Sequence, residues 1–263
     1  MHTTERTIRV GGIDVHTWVG GRGDPLLVLH GAGGNRGFTR WTREVAEHFT
    51  VWAPTHPGFG ASSDADWMEG IDDLARFYLW FVDAAKLGRP QLLGQSIGGW
   101  TAAEMAAMSP ASIDRLVLVD PVGLKPETGE IFDVFYHSPA ELRDVMVHDP
   151  TTVPDWDELF SRTPTPAELE IATRNREMAA RLTWKPYMHN PRLAQFLPRV
   201  ANHTLIVWGR ADRIVPVECG EQWRRLLPNA TLTVLDRCGH LPPLEQPERF
   251  ARLVLDFLGD ARR

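Results

Sequence analysis

Short apolar runs rich in Val, Leu and Ile alternate along the chain with longer segments in which apolar residues recur every three or four positions. The runs read as strands and the periodic segments as amphipathic helices, an alternation that predicts a largely parallel sheet covered by helices. Strands are expected over Thr7–Val10, Asp14–Val19, Leu26–Leu29, Thr50–Ala53, Gln91–Gly94, Arg115–Val119, Thr204–Trp208 and Thr231–Leu235. Gly11-Gly12, between the first two, is a hairpin-type turn, so the sheet is expected to open with an antiparallel pair. Helices are expected over Trp41–His48, Ile71–Lys86, Ile97–Met108, Glu218–Leu227 and Pro247–Phe257. From Pro121 to Pro198 the strand rhythm stops, and a stretch rich in Pro, Trp, Phe and charge reads as several short helices and loops. The expected organisation is a core domain of residues 1–120 and 199–263 with a helical cap, residues 121–198, inserted after the sixth strand.

Chemistry concentrates at strand ends. Gly94-Gln95-Ser96-Ile97-Gly98 lies between an apolar strand and a helix, the context in which G-x-S-x-G holds a serine at the apex of a sharp, strained turn. The helix N-terminus behind it aims amide donors at charge developing on a substrate oxygen. His30-Gly31-Ala32-Gly33-Gly34 follows another strand, where a glycine-rich loop points main-chain N–H groups outward. The expected oxyanion donors are the amides of Ile97 and Ala32, with Gly33 as the competing choice for the second; His30 is read as a hydrogen-bonded residue that shapes the loop.

A serine nucleophile needs a base, and His240, in Cys238-Gly239-His240-Leu241 after the last strand, is placed for that role. Two aspartates satisfy the order serine, acid, histidine. Asp212 follows the penultimate strand and is the leading candidate; Asp120, in Val119-Asp120-Pro121, is the alternative acid, otherwise read as anchoring the cap entrance or bordering the pocket.

Composition narrows the partners. The net charge of −6 and the absence of a basic block remove the electrostatic footprint of nucleic-acid binding. No signal-type leader and no run near the roughly 20 apolar residues of a membrane span occur, so a cytoplasmic protein without a membrane role is expected. The two cysteines, Cys219 and Cys238, are expected to be reduced and buried rather than catalytic. No HExxH-type spacing appears among the ten histidines, and no metal site is expected. Oligomeric state, monomer or dimer, is open.

Together with Pro57-Gly58-Phe59-Gly60-Ala61-Ser62, these motifs resemble the α/β-hydrolase superfamily, in its cap-bearing branch of small esterases and meta-cleavage C–C hydrolases, over nearly the whole chain. The resemblance implies an α/β-hydrolase fold, an eight-stranded, mostly parallel sheet flanked by helices, and cofactor-independent hydrolysis through an acyl-serine intermediate under a cap. The leading expectation is hydrolysis of small to medium, largely apolar carboxylic esters by Ser96, His240 and Asp212. Hydrolysis of a carbon–carbon bond in a vinylogous diketo acid is the alternative. Members of that second kind resemble one another in an asparagine before the nucleophile and a tryptophan after the histidine, where this chain has Gln95 and Leu241. A third class, a non-catalytic receptor or cofactor-free oxygenase on the same scaffold, is opposed by the intact serine, histidine and aspartate set. Aromatic residues of the cap, Phe132, Phe135, Tyr136, Trp156, Phe160, Trp184 and Tyr187, with Met188, supply surface either for a pocket or for the cap's own packing.

Overall fold

The structure, a computed structural model, describes residues 2–161 and 163–259. Eight strands, β1 (Thr3–Val10), β2 (Ile13–Gly21), β3 (Pro25–Leu29), β4 (Thr50–Pro54), β5 (Gln91–Gln95), β6 (Leu116–Val119), β7 (Thr204–Gly209) and β8 (Ala230–Leu235), form one sheet. Their order is β1-β2-β4-β3-β5-β6-β7-β8. Strand β2 runs antiparallel to both β1 and β4, and the remaining pairings are parallel. Gly11 and Gly12 both have positive φ, as the expected two-residue turn between β1 and β2 requires.

Alternate residues of the central strands enter two separate cores. Leu27, Leu29, Leu92, Leu116, Leu118, Ile206 and Trp208 face α2 (Ile71–Ala84), α3 (Ile97–Met108) and α7 (Glu218–Leu226). Leu26, Leu93, Val117, Val119, Leu205 and Val207 face α1 (Arg40–Val45) and α9 (Pro247–Gly259), where Trp41 meets Phe250 edge to face. Burial on both faces is why these strands read as continuous apolar runs.

Strand β3 sits between β4 and β5, so the connections leave it in opposite directions and open a crevice at the carboxyl ends of β3 and β5. The loop after β3 begins at His30 and the turn after β5 holds Ser96. Topology therefore brings the two glycine-rich motifs together.

Among the described residues, none between β6 and β7 joins the sheet. That segment carries α4 (Pro139–Met146), α5 (Pro166–Thr183) and α6 (Leu193–Phe196) with short irregular turns. The expectation of several short helices is corrected by α5, which runs for 18 residues. Both longer helices start with the same device, Ser138-Pro139-Ala140-Glu141 and Thr165-Pro166-Ala167-Glu168, in which hydroxyl and carboxylate each take a backbone amide of the other residue. No helix among the described residues is long and apolar enough to cross a membrane.

Candidate active site

Ser96 occupies φ 53°, ψ −117°, between the last residue of β5 and the first of α3. A non-glycine residue held there costs on the order of 1–3 kcal/mol, which its surroundings must over-determine. They do: the Ser96 amide donates to Val119 O at 2.9 Å and Trp100 N donates to Ser96 O at 3.0 Å. A Cβ on Gly94 would lie 2.2 Å from Gly98 O, and one on Gly98 would lie 2.3 Å from Leu29 O, so strand, turn and helix close only with hydrogen at both positions.

Across the crevice, Gly34 N closes a turn onto Gly31 O at 3.1 Å, leaving Ala32 and Gly33 as its central residues. Among the described residues no acceptor takes the amides of Ala32, Gly33 or Ile97. Two segments, after β3 and after β5, thus carry unpaired amide donors, the kind of group that can receive an oxyanion.

The loop is braced by a pair of histidines, only one of which stood out in the sequence. His30 and His56 stack with centroids 3.6 Å apart. His56 N donates to His30 Nε2 at 2.9 Å, which fixes the His30 proton on Nδ1, 2.7 Å from Gly31 O. His56 Nε2 donates to His30 O at 2.9 Å, so its Nδ1 accepts from the Tyr78 hydroxyl at 2.6 Å. Every ring nitrogen is committed with both rings neutral, and a proton on His30 Nε2 would face the His56 N–H. Burial, opposed by the Gly31 carbonyl, brings the His30 pKa from 6.5 down to about 4; burial and then His30 push that of His56 well below the usual imidazole range.

An acid sensitivity follows. The unfolded chain takes up a proton at His30 near pH 6.5 and the native chain only near pH 4, so stability is complete above 6.5 and falls as pH drops through that window. His30 alone is expected to remove on the order of 3 kcal/mol by pH 4. Thermal unfolding at pH 7 and pH 4.5 measures this; a Tm drop no smaller in His30→Asn than in the parent would reject the assignment.

His240 and Asp212 meet in the loops that follow the last two strands. Asp212 follows β7 and His240 follows β8; His240 Nδ1 lies 2.8 Å from Asp212 Oδ2, with both side chains buried. The other Asp212 oxygen accepts from Ile214 N at 2.7 Å and Val215 N at 3.0 Å, which locks the carboxylate. Donation from Nδ1 leaves Nε2 of the neutral ring as the free acceptor, the form that a general base requires. Gln95, beside Ser96, donates from Nε2 to His240 O at 3.1 Å and ties the elbow to the histidine loop.

Glu245, in the short helix α8 (Pro242–Glu245), was not singled out in the sequence. Its buried carboxylate accepts from Gly239 N (2.9 Å) and Leu241 N (3.1 Å), on either side of His240, and from His148 N (2.7 Å) in the β6–β7 insertion. His240 N itself donates to Met146 O at 2.7 Å. At the opposite rim, Asn175 of α5 accepts from Gly60 N at 2.8 Å and donates to Gly33 O at 3.2 Å. The insertion therefore grips both the histidine loop and the glycine-rich loop. A glutamate five residues after a histidine and an asparagine in a polar helix carry no distinguishing spacing, so folding alone exposes them.

Asp120 is fully buried beside this pair, and Gly209 N donates to its Oδ1 at 2.9 Å. One donor atom each from Asp120, Asp212 and His240 lies within 4.8 Å of the others, the cluster among the described residues with the reach to hold a cation. The Nδ1 to Oδ2 hydrogen bond already occupies two of those atoms. Both cysteines are free and buried; burial raises the Cys219 thiol to about 12 and pushes Cys238 higher still, as expected of core residues rather than nucleophiles. Most of the insertion's aromatics engage each other: Phe135, Trp184 and Tyr187 cluster, with Tyr187 edge-to-face with both, Trp156 packs on Phe160, and Tyr187 Oη donates to Phe132 O at 2.7 Å.

Comparison with known proteins agrees with this architecture. The family described as the alpha/beta hydrolase fold matches residues 24–247. A 2-hydroxy-6-oxo-2,4-heptadienoate hydrolase of Pseudomonas putida is 30% identical over 267 residues, spanning 96% of this chain and 95% of that protein. A crystal structure of a membrane phospholipase A, described as a bacterial virulence factor, superposes with a TM-score of 0.80 at 27% identity, covering 99% of this chain and 87% of the other. A meta-cleavage product hydrolase from Pseudomonas fluorescens IP01 superposes with a TM-score of 0.83 at 24% identity, over 97% and 98% of the two chains, a likeness of fold. On its motifs, its sheet and these matches, the chain belongs to the alpha/beta hydrolase fold family and is a hydrolase.

Proposed function

We propose that the chain is a serine hydrolase in which Ser96 is the nucleophile, His240 the general base and Asp212 the triad acid. The amides of Ala32 and Ile97 receive the oxyanion, and residues 121–198 act as the cap. The observation that carries the mechanism is the buried 2.8 Å contact between His240 Nδ1 and Asp212 Oδ2, in a loop that Gln95 ties to the turn holding Ser96 at positive φ. Ser96 Oγ attacks a carbonyl carbon as its proton passes to His240 Nε2, and the oxyanion collapses with expulsion of the leaving group, which takes that proton. Water then cleaves the acyl-serine, again with His240 as base.

For the substrate, the named activity of the 30% identical relative favours the carbon–carbon reading over the ester reading that led from sequence. The proposed substrate is a vinylogous diketo acid of the 2-hydroxy-6-oxo-dienoate kind. Once the 2-hydroxyl proton has moved to C5, giving the 2,6-dioxo-3-enoate tautomer, the leaving group is a C5 carbanion delocalised through the C3=C4 double bond onto the 2-oxo group, so one triad suffices for the cleavage. A second reading, ester hydrolysis, is favoured by Gln95: its amide is engaged by His240 O, where members of the carbon–carbon branch resemble one another in an asparagine. The similarity to a phospholipase supports that reading as well.

The experiment is a direct contest. Purified protein is assayed on 2-hydroxy-6-oxo-2,4-heptadienoate, followed by loss of the dienoate chromophore, and on nitrophenyl esters of graded acyl length. The expected result is a kcat/KM on the dienoate at least about tenfold above the best ester, a difference of 1.4 kcal/mol in transition-state stabilisation. The reverse ranking establishes the ester reading. Failure on both, together with no labelling of Ser96 by a fluorophosphonate, removes the serine mechanism.

A further inference from the structure

Asp120 poses an electrostatic problem that the triad does not use. It stands at the end of β6 with φ 41°, and its side chain is fully buried. Oδ1 takes the Gly209 amide, but Oδ2 meets no donor and no water-accessible surface. An ionised carboxylate oxygen in that position forfeits its hydration with nothing in return. Its neighbour is the Asp212 carboxylate, another acceptor, and two such groups repel rather than satisfy each other.

A single shared proton removes both the orphan and the repulsion, and the donor count says which carboxyl keeps it. Asp212 receives three donors, from Ile214 N, Val215 N and His240 Nδ1, all of which stabilise its ionised form. Asp120 receives only Gly209 N. The other titratable groups facing Asp120 are Glu245, Cys238 and His240; no lysine or arginine among the described residues pairs with either aspartate. Burial first, and then the Asp212 charge, push the Asp120 carboxyl well above the usual carboxylate range, with the Gly209 amide opposing.

We infer that Asp120 is a neutral carboxylic acid whose Oδ2–H is donated to Asp212, a positioning residue that steadies the triad acid without adding a second negative charge beside His240. This rests on the reading of Asp212 and His240 as acid and base. A second anion would raise the proton affinity of the imidazole and withdraw the base at neutral pH. A neutral donor holds Asp212 in place and leaves the imidazole free to accept the Ser96 proton.

The test compares kcat/KM against pH in the parent, Asp120→Ala, Asp120→Asn and Asp212→Asn. Asp120→Ala strips Asp212 of a donor and is expected to lose about 10- to 100-fold, the range for a hydrogen bond to a charged group. Asp120→Asn has the same shape, is neutral, and offers its N–H to Asp212 and its carbonyl to Gly209. It should restore activity to within about threefold of the parent and leave the acid limb within about 0.3 pH unit. An acid limb displaced downwards by about one unit or more in Asp120→Asn shows that an anion was removed and overturns the proposal. Equal losses in the alanine and asparagine variants overturn it too. Difference infrared spectra of parent against Asp120→Asn at pH 7 give a reading independent of turnover: the C=O stretch of a protonated carboxyl is expected in the parent and absent from the variant, and its absence from both refutes the neutral acid. Undiminished activity in Asp212→Asn would instead remove the triad assignment itself.

Discussion

Ser96→Ala is expected to abolish turnover while leaving the protein folded. The nucleophile of a triad accounts for a factor on the order of 10⁴ to 10⁶ in kcat, because the base and oxyanion donors alone cannot form the acyl intermediate. Alanine keeps the Cβ and the backbone bonds to Val119 O and from Trp100 N, so the strained elbow persists and only Oγ is lost. Activity on the better substrate, fluorophosphonate labelling and circular dichroism measure the three parts of this expectation. A folded variant that keeps more than about a tenth of parental kcat, with contaminating hydrolases excluded, rules out Ser96 as nucleophile.

What the sequence made legible follows from local physics. The central strands appear where β-branched and leucine runs appear, because parallel strands buried on both faces have few polar positions to confuse the pattern. The elbow was legible because its glycines answer a steric demand confined to five residues. His240 and Asp212 were singled out from their positions after the last two strands, with Asp120 as the alternative acid; both aspartates follow a strand end, and what separates them in the structure is what their oxygens meet. Helix α5 escaped because Leu169 and Ile171 are exposed and blur its period; the sign it left was the capping box of Thr165 and Glu168. His56, Asn175 and Glu245 escaped for another reason. Each works by bonding to backbone of a remote segment, and backbone donors and acceptors leave no trace in side-chain identity.

The second large effect is expected at Asp212. Asp212→Asn preserves size, but it exchanges the carboxylate bonded to His240 Nδ1 for an amide that presents either a donor or a neutral oxygen to Nδ1. If the amide N–H turns to the ring, Nδ1 must accept, the proton moves to Nε2, and the base no longer faces Ser96 with a lone pair. If the carbonyl turns instead, the tautomer survives, but the imidazolium formed during attack loses its counter-charge in a buried site where solvent cannot replace it. Either path lowers kcat, by about 10⁴-fold on the precedent of an asparagine in this role. The amides of Ile214 and Val215 prefer the carbonyl on their own side, which turns the N–H towards His240 and makes the wrong tautomer the dominant fault. The loss should therefore appear in kcat with little change in KM, and it should recover partly at alkaline pH if hydroxide takes over the role of the base. A loss smaller than about tenfold in a folded Asp212→Asn, beside a large one in Asp120→Asn, would transfer the triad acid to the end of β6.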